Sequence, residues 1–158
     1  MVRRAITVMV LAAVVSVFGL VPSFAEETPG DNRPRGYFGI GAGMGIRYGF
    51  GGIGIEVSPA QYVSVTAGAG FLGVAGYSVG LQVFPLGRVS KVRPWLSVSA
   101  GDALASTGFG VAEMSFIAYG IGGEVGFGPK HSVEFGIDVA NGDSDTFVYP
   151  TIGWKYHF

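Results

Sequence analysis

Residues 116–140 read FIAYGIGGEVGFGPKHSVEFGIDVA. Ile117, Tyr119, Ile121, Val125 and Phe127 share one parity, with Ala118, Gly120, Gly122, Glu124 and Gly126 between them. After Gly-Pro-Lys the alternation resumes: Val133, Phe135, Ile137 and Val139 stand against Ser132, Glu134, Gly136 and Asp138. Side chains along a strand alternate between two faces, so this period of two predicts two strands joined by a turn near Pro129. One face is bulky and apolar. The other is mostly glycine, with isolated acids.

The same pattern extends in both directions. Upstream, Phe38, Ile40, Ala42, Met44, Ile46 and Tyr48 alternate with Gly39, Gly41, Gly43, Gly45 and Arg47. Ile53, Ile55 and Val57 follow, then Val63 to Phe71, then Tyr77, Val79, Leu81 and Val83. In RPWLSVSAG, Leu96, Val98 and Ala100 oppose Trp95, Ser97 and Ser99. Downstream, VYPTIGWKYHF places Ile152, Trp154, Tyr156 and Phe158 on one face. That makes eight predicted strands. Between them fall the Pro-bearing stretches SPAQ, PLGRVSKVRP and GPK, and the stretches GFG, LGVAG, DALASTGFGVAE and NGDSDT. Proline cannot donate to a ladder and marks strand ends.

Composition narrows the function classes. Of 158 residues, 49% are hydrophobic and only 13% charged, which excludes a disordered chain. A net charge of −1 without a basic cluster gives no footprint for nucleic acid. Cysteine is absent, which removes disulfides, thiolate metal sites and a cysteine nucleophile. Residues 1–25 read as a signal peptide: Arg3 and Arg4 precede an apolar run from Ala5 to Val21, Pro22 ends it, and Ser23 and Ala25 suit cleavage after Ala25. An uncleaved anchor is the competing reading. Residues 26–36 form a polar lead, and 37–158 a single β-domain.

Two architectures accept eight alternating strands. A soluble sandwich turns its apolar face inward and needs a charged outer face; here that second face is Gly, Ser and Ala. A membrane barrel inverts the arrangement, with bulky residues toward lipid and small or polar ones toward the lumen. Lipid offers no partner to an unpaired backbone group, so such a sheet must close. The expected fold is an all-β, eight-stranded antiparallel up-and-down barrel. Tyr37, Phe38, Tyr48, Phe84, Phe127, Tyr149, Tyr156 and Phe158, near strand ends, are the expected interfacial girdles.

The signal segment, the eight alternating stretches and the ending IGWKYHF resemble the small OmpA/OmpX-type outer-membrane barrels of Gram-negative bacteria. The resemblance implies that Ile152, Trp154, Tyr156 and Phe158 form a C-terminal signal read by the barrel-assembly machinery. It further implies an outer-membrane location with periplasmic termini, contact with lipid and lipopolysaccharide, and a monomer without cofactor. The Pro-bearing connections then become periplasmic turns and the others outer loops, unusually short for this family.

Three functions stay open: a structural barrel supporting envelope integrity, a module that binds or passes a small apolar molecule through its Gly-lined lumen, and a lipid A-modifying enzyme. The enzyme reading is weakened because His131 and His157 both fall near the expected periplasmic rim, and adjacent His131 and Ser132 point to opposite faces. The glycines of GIGAGMG alternate within a strand and lack the strand-to-helix turn of a phosphate loop. Asp143 and Asp145 read as turn acids.

The inward charges make one further expectation. A turn near Pro129 sets Glu124 across from Glu134, and a loop near Ser144 sets Lys155 about level with Glu134. Glu56 falls at a similar height, with Arg93 at the rim. Neighbouring carboxylates need a cation. The expected cluster is Glu56, Glu124, Glu134 and Lys155, with Lys155 as the only base well inside it, holding the closing strand in register.

Overall fold

The computed structural model describes residues 37–72, 74–87, 91–107, 110–127, 130–142 and 145–158, without the side chains of 105–107 and 110–112. The predicted signal peptide and polar lead, together with Pro129, Asp143 and Ser144, lie outside the described residues.

Eight strands form one closed antiparallel barrel: β1 (Tyr37–Met44), β2 (Gly52–Ala60), β3 (Val63–Gly70), β4 (Val74–Val83), β5 (Val92–Thr107), β6 (Gly110–Phe127), β7 (His131–Asn141) and β8 (Thr146–His157). Each strand pairs with its sequence neighbours, and β1 closes on β8 with Ile40 opposite Tyr156 and Ala42 opposite Trp154. Among the described residues no helix is long and apolar enough to cross a membrane. The apolar parity faces outward: Ile53, Ile121 and Ile152 are 69%, 63% and 58% exposed. The Gly/Ser/acid parity lines the lumen, where Ser64, Gln82, Glu124 and Glu134 are fully buried.

The chain departs from simple alternation after Met44. Gly45, at φ 133°, turns it inward, and Ile46–Tyr48 form a single 3-10 turn inside the barrel. Ile46 and Tyr48 were expected on the lipid face; they are 0% and 2% exposed. The cause is local backbone geometry. Gly45 and Gly49 adopt positive φ, and so does Phe50 at 76°, a strained conformation for a non-glycine residue. The lumen wall holds the segment there: Ser78 Oγ donates to the Ile46 carbonyl at 2.6 Å, and the Tyr149 hydroxyl donates to the Phe50 carbonyl at 2.9 Å.

Two of the lumen glycines are explained by this inserted segment. A Cβ on Gly68 would collide with the Arg47 carbonyl, and one on Gly153 with the Tyr48 phenol. Trp95 is served the same way, its ring edge lying against Gly122 and Gly136. Toward the loop end, Ile46, Phe50, Ala103, Phe116, Ala118 and Ala140 form an apolar cap, with Phe50 edge-on to Phe116 and Tyr149. The bare parity of the sequence is therefore a seat for aromatics.

Three further expectations are corrected. Tyr37, Tyr48, Phe84 and Tyr149 turn inward and leave the girdles: Phe84 is fully buried, and Tyr37 bonds Glu56. For Tyr37, Phe84 and Tyr149 the strand parity outranks nearness to a strand end. DALASTGFGVAE is not a loop but mostly strand, since β5 and β6 pair as far as Thr107 opposite Gly110. Pro94 lies inside β5, opposite Gly123, rather than in the connection before it.

Seating Tyr48 on Gly153 has a measurable consequence. Gly153→Ala should lower the stability of the detergent-folded barrel by about 1–3 kcal/mol, the usual cost of overpacking. In a Tyr48→Leu background, where the phenol is gone, the same substitution should cost clearly less in urea titrations. Equal costs in both backgrounds would contradict the contact.

Candidate functional site

β2, β6, β7 and β8 bring Glu56, Glu124, Glu134 and Lys155 together in the lumen. The Lys155 Nζ lies 2.8 Å from Glu56 Oε2, 3.1 Å from Glu124 Oε2 and 2.7 Å from Glu134 Oε2. Register accounts for the convergence. Glu124 faces Glu134 directly across β6 and β7, and Arg93 faces Glu124 across β5 and β6. Lys155, however, pairs with Ser132, while Glu134 faces Gly153. Lys155 is thus two residues off the level expected, and its long aliphatic stem spans the difference. Gly41 leaves room for that stem, its Cβ direction ending 3.1 Å from Lys155 Cγ.

Arg47 corrects the expectation of a single interior base. The inserted segment carries its guanidinium to 3.1 Å from Glu134 Oε2 and 3.7 Å from the centre of the Trp95 ring. Arg93 Nη1 meets Glu124 Oε1 at 2.8 Å, nearer the rim. Three carboxylates thus face three basic side chains. Tyr37 donates to Glu56 Oε1 at 2.9 Å. A signal for Arg47 did exist: the adjacent Gly51 and Gly52 break the alternation, so Ile46–Phe50 need not continue the strand.

His157 closes the cluster at the strand end. Its Nε2 is 2.8 Å from Ser132 Oγ and 3.8 Å from Glu124 Oε1. Serine, histidine and acid are therefore neighbours, although the sequence suggested only the adjacent His131–Ser132 pair. The geometry does not make a nucleophile–base–acid relay. Ser132 and Glu124 approach the same ring nitrogen, whereas in a relay the acid holds the opposite one. Ser132 is also fully buried. His131 points outward and stacks on Trp154 at 5.6 Å. Among the described residues no group of three or more His, Cys, Asp or Glu is arranged to hold a metal ion.

Between the inserted segment and the cluster remains a cavity of about 20 Å³, lined by Arg47, Tyr48, Glu56, Thr66, Glu134 and Lys155. That is room for about one water molecule. Ile152, Trp154 and Tyr156 of β8 and Phe158 just after it are separate from this site: Ile152, Trp154 and Phe158 are exposed and Tyr156 is half-buried.

No protein-family model and no curated protein matches the sequence. The structure is similar to the N-terminal β-barrel domain of Pseudomonas aeruginosa OprF, with a TM-score of 0.59 and 16% identity, over 78% of this chain and 98% of that domain. The shared feature is the fold alone: a closed β-barrel, here of eight antiparallel strands.

The cluster predicts a specific pattern of rescue. Breaking a buried ion pair from one side typically costs about 3–5 kcal/mol, so Lys155→Met should strongly lower the unfolding midpoint. Adding Glu56→Gln should restore part of the loss, because it neutralises a carboxylate that Lys155 held. Glu134→Gln should restore less, since Arg47 already neutralises Glu134 and would lose its partner. Purely additive changes would show that these groups do not act as one network.

Proposed function

We propose that the chain is an integral outer-membrane barrel with a structural role in the envelope and no catalysis. One observation carries this reading: the barrel is inside out relative to a soluble protein. Most of its outer wall is apolar, and its ion cluster and most other polar groups of the inner parity are enclosed. Such a wall is stable in lipid, and a closed sheet leaves no backbone group unpaired there. The fold shared with the OprF domain supports the same reading.

A ligand-binding or transport role finds less support, because the inserted segment, Trp95 and the ion cluster occupy the space a ligand would need. Lipid A modification finds less still, given the buried Ser132 and the misplaced acid. We further infer that the chain ends face the periplasm. The outward row Ile152, Trp154, Tyr156 and Phe158 serves as the assembly signal, and the mature protein sits as a monomer among lipid and lipopolysaccharide.

Cell fractionation should place the protein in the outer membrane, and a mature form soluble without detergent would refute the reading. In planar bilayers the folded protein should show no stable porin-like conductance. Phe158→Ala keeps the backbone bond from residue 158 to the Phe38 carbonyl but removes the terminal ring. It should reduce the inserted fraction in cells several-fold while refolding in detergent stays normal; unimpaired insertion would remove the signal from the proposal.

A further inference from the structure

The outer wall is not uniformly apolar, and its exceptions fall in a pattern. Tyr77, Asp102 and Ser115 lie side by side on β4, β5 and β6, each opposite the next in register. All three project outward, since the alternate residues Gly101, Ala103 and Phe116 pack in the lumen. Tyr77 and Ser115 both donate hydroxyl hydrogens to the Asp102 carboxylate, the latter at 2.6 Å. On β7 and β8 the next outward pair is again polar: Thr146 Oγ1 donates to Asn141 Oδ1 at 2.9 Å. Glu113 is exposed beyond them.

Below this row the outward residues of the same strands are apolar or aromatic. On β5 they are Leu96, Val98 and Ala100; on β6 they run from Ile117 through Tyr119 and Ile121 to Phe127. From Ile117 to Phe127 is ten residue steps. At about 3.3 Å per residue and a tilt of 35–45°, that corresponds to roughly 25 Å of height, the expected apolar band of an outer-membrane barrel. A carboxylate facing hydrocarbon is most costly at the mid-plane and nearly free at the interface. Asp102, sited where the band runs out and held by two hydroxyls, meets the second condition.

We propose that Tyr77–Asp102–Ser115 and Asn141–Thr146 mark the loop-side limit of the hydrocarbon on this half of the wall. Their partner is the hydroxyl- and phosphate-rich headgroup zone of a lipid leaflet. The β5–β6 hairpin, whose pairing continues to Thr107 and Gly110, then stands clear of the hydrocarbon. The inference rests on the membrane reading above and adds to it where the membrane ends.

The absence of cysteine makes the test direct. Single-cysteine variants of the full chain, Val98→Cys, Ile121→Cys, Leu104→Cys and Glu113→Cys, are labelled with bimane. They are refolded into phosphatidylcholine vesicles containing either ordinary or chain-brominated lipid. Labels at 98 and 121 should be quenched by bromine at least several-fold more than labels at 104 and 113, and iodide in the buffer should show the reverse order. Equal bromine quenching at all four sites would overturn the boundary while leaving the membrane reading intact. No bromine quenching at any site of the folded protein would overturn both.

Discussion

The Lys155 ammonium stands against three carboxylates that three other strands supply. β8 is the strand that closes the ring on β1, so this one side chain ties the last strand to β2, β6 and β7 through the lumen. Ladder hydrogen bonds fix neighbours only. A buried ion cluster acts across the barrel and discriminates between registers, because a shift of one residue would turn Lys155 to the outer face of the wall. Taking Glu56, Glu124, Glu134, Arg47 and Lys155 out of water is expensive, and the cost is offset only by the partners they find. Arg47 and Arg93 supply the remaining cations, and Tyr37 adds a donor to Glu56. Stability and register therefore depend on the same few atoms.

A narrow barrel also has to be filled. Eight strands enclose a space just wide enough for side chains, yet much of this inner wall is glycine. The connection between β1 and β2 resolves the conflict by entering the lumen. Its own backbone and the rings of Tyr48, Phe50 and Trp95 occupy volume that ordinary inward side chains would fill elsewhere. Gly68 and Gly153 are floor rather than flexibility. The glycine parity and the inserted segment are two halves of one packing solution, and neither makes sense without the other.

How far the sequence discloses this can be judged residue by residue. Alternation from Ile117 to Val139 was enough for strands and for inverted polarity, because period two is a local property of the backbone. It also placed Glu124 opposite Glu134, since a short hairpin leaves little choice of register. Lys155 was misplaced by two residues because its level depended on the turn between β7 and β8. The inward course of Ile46–Phe50 is marked in the sequence only by the break at Gly51 and Gly52; the positive φ at Gly45, Gly49 and Phe50 that produces it leaves the alternation before that break looking continuous. Arg47 was lost with it. The inward course of Tyr37, Phe84 and Tyr149 is legible, because each sits on the lumen parity of its strand, and that parity outweighs nearness to a strand end.

The two tryptophans of this chain occupy opposite sides of one wall. Trp95 lies beneath a guanidinium in the enclosed interior, and Trp154 faces outward beside His131. Their emission thus depends on different events. Trp154 responds to whatever medium contacts the outer surface, whereas Trp95 acquires its neighbours only when the β1–β2 connection has folded in and β5 has met β6. Time-resolved fluorescence with either indole removed would separate adsorption to a bilayer from sealing of the interior. The chain carries its own pair of clocks for assembly.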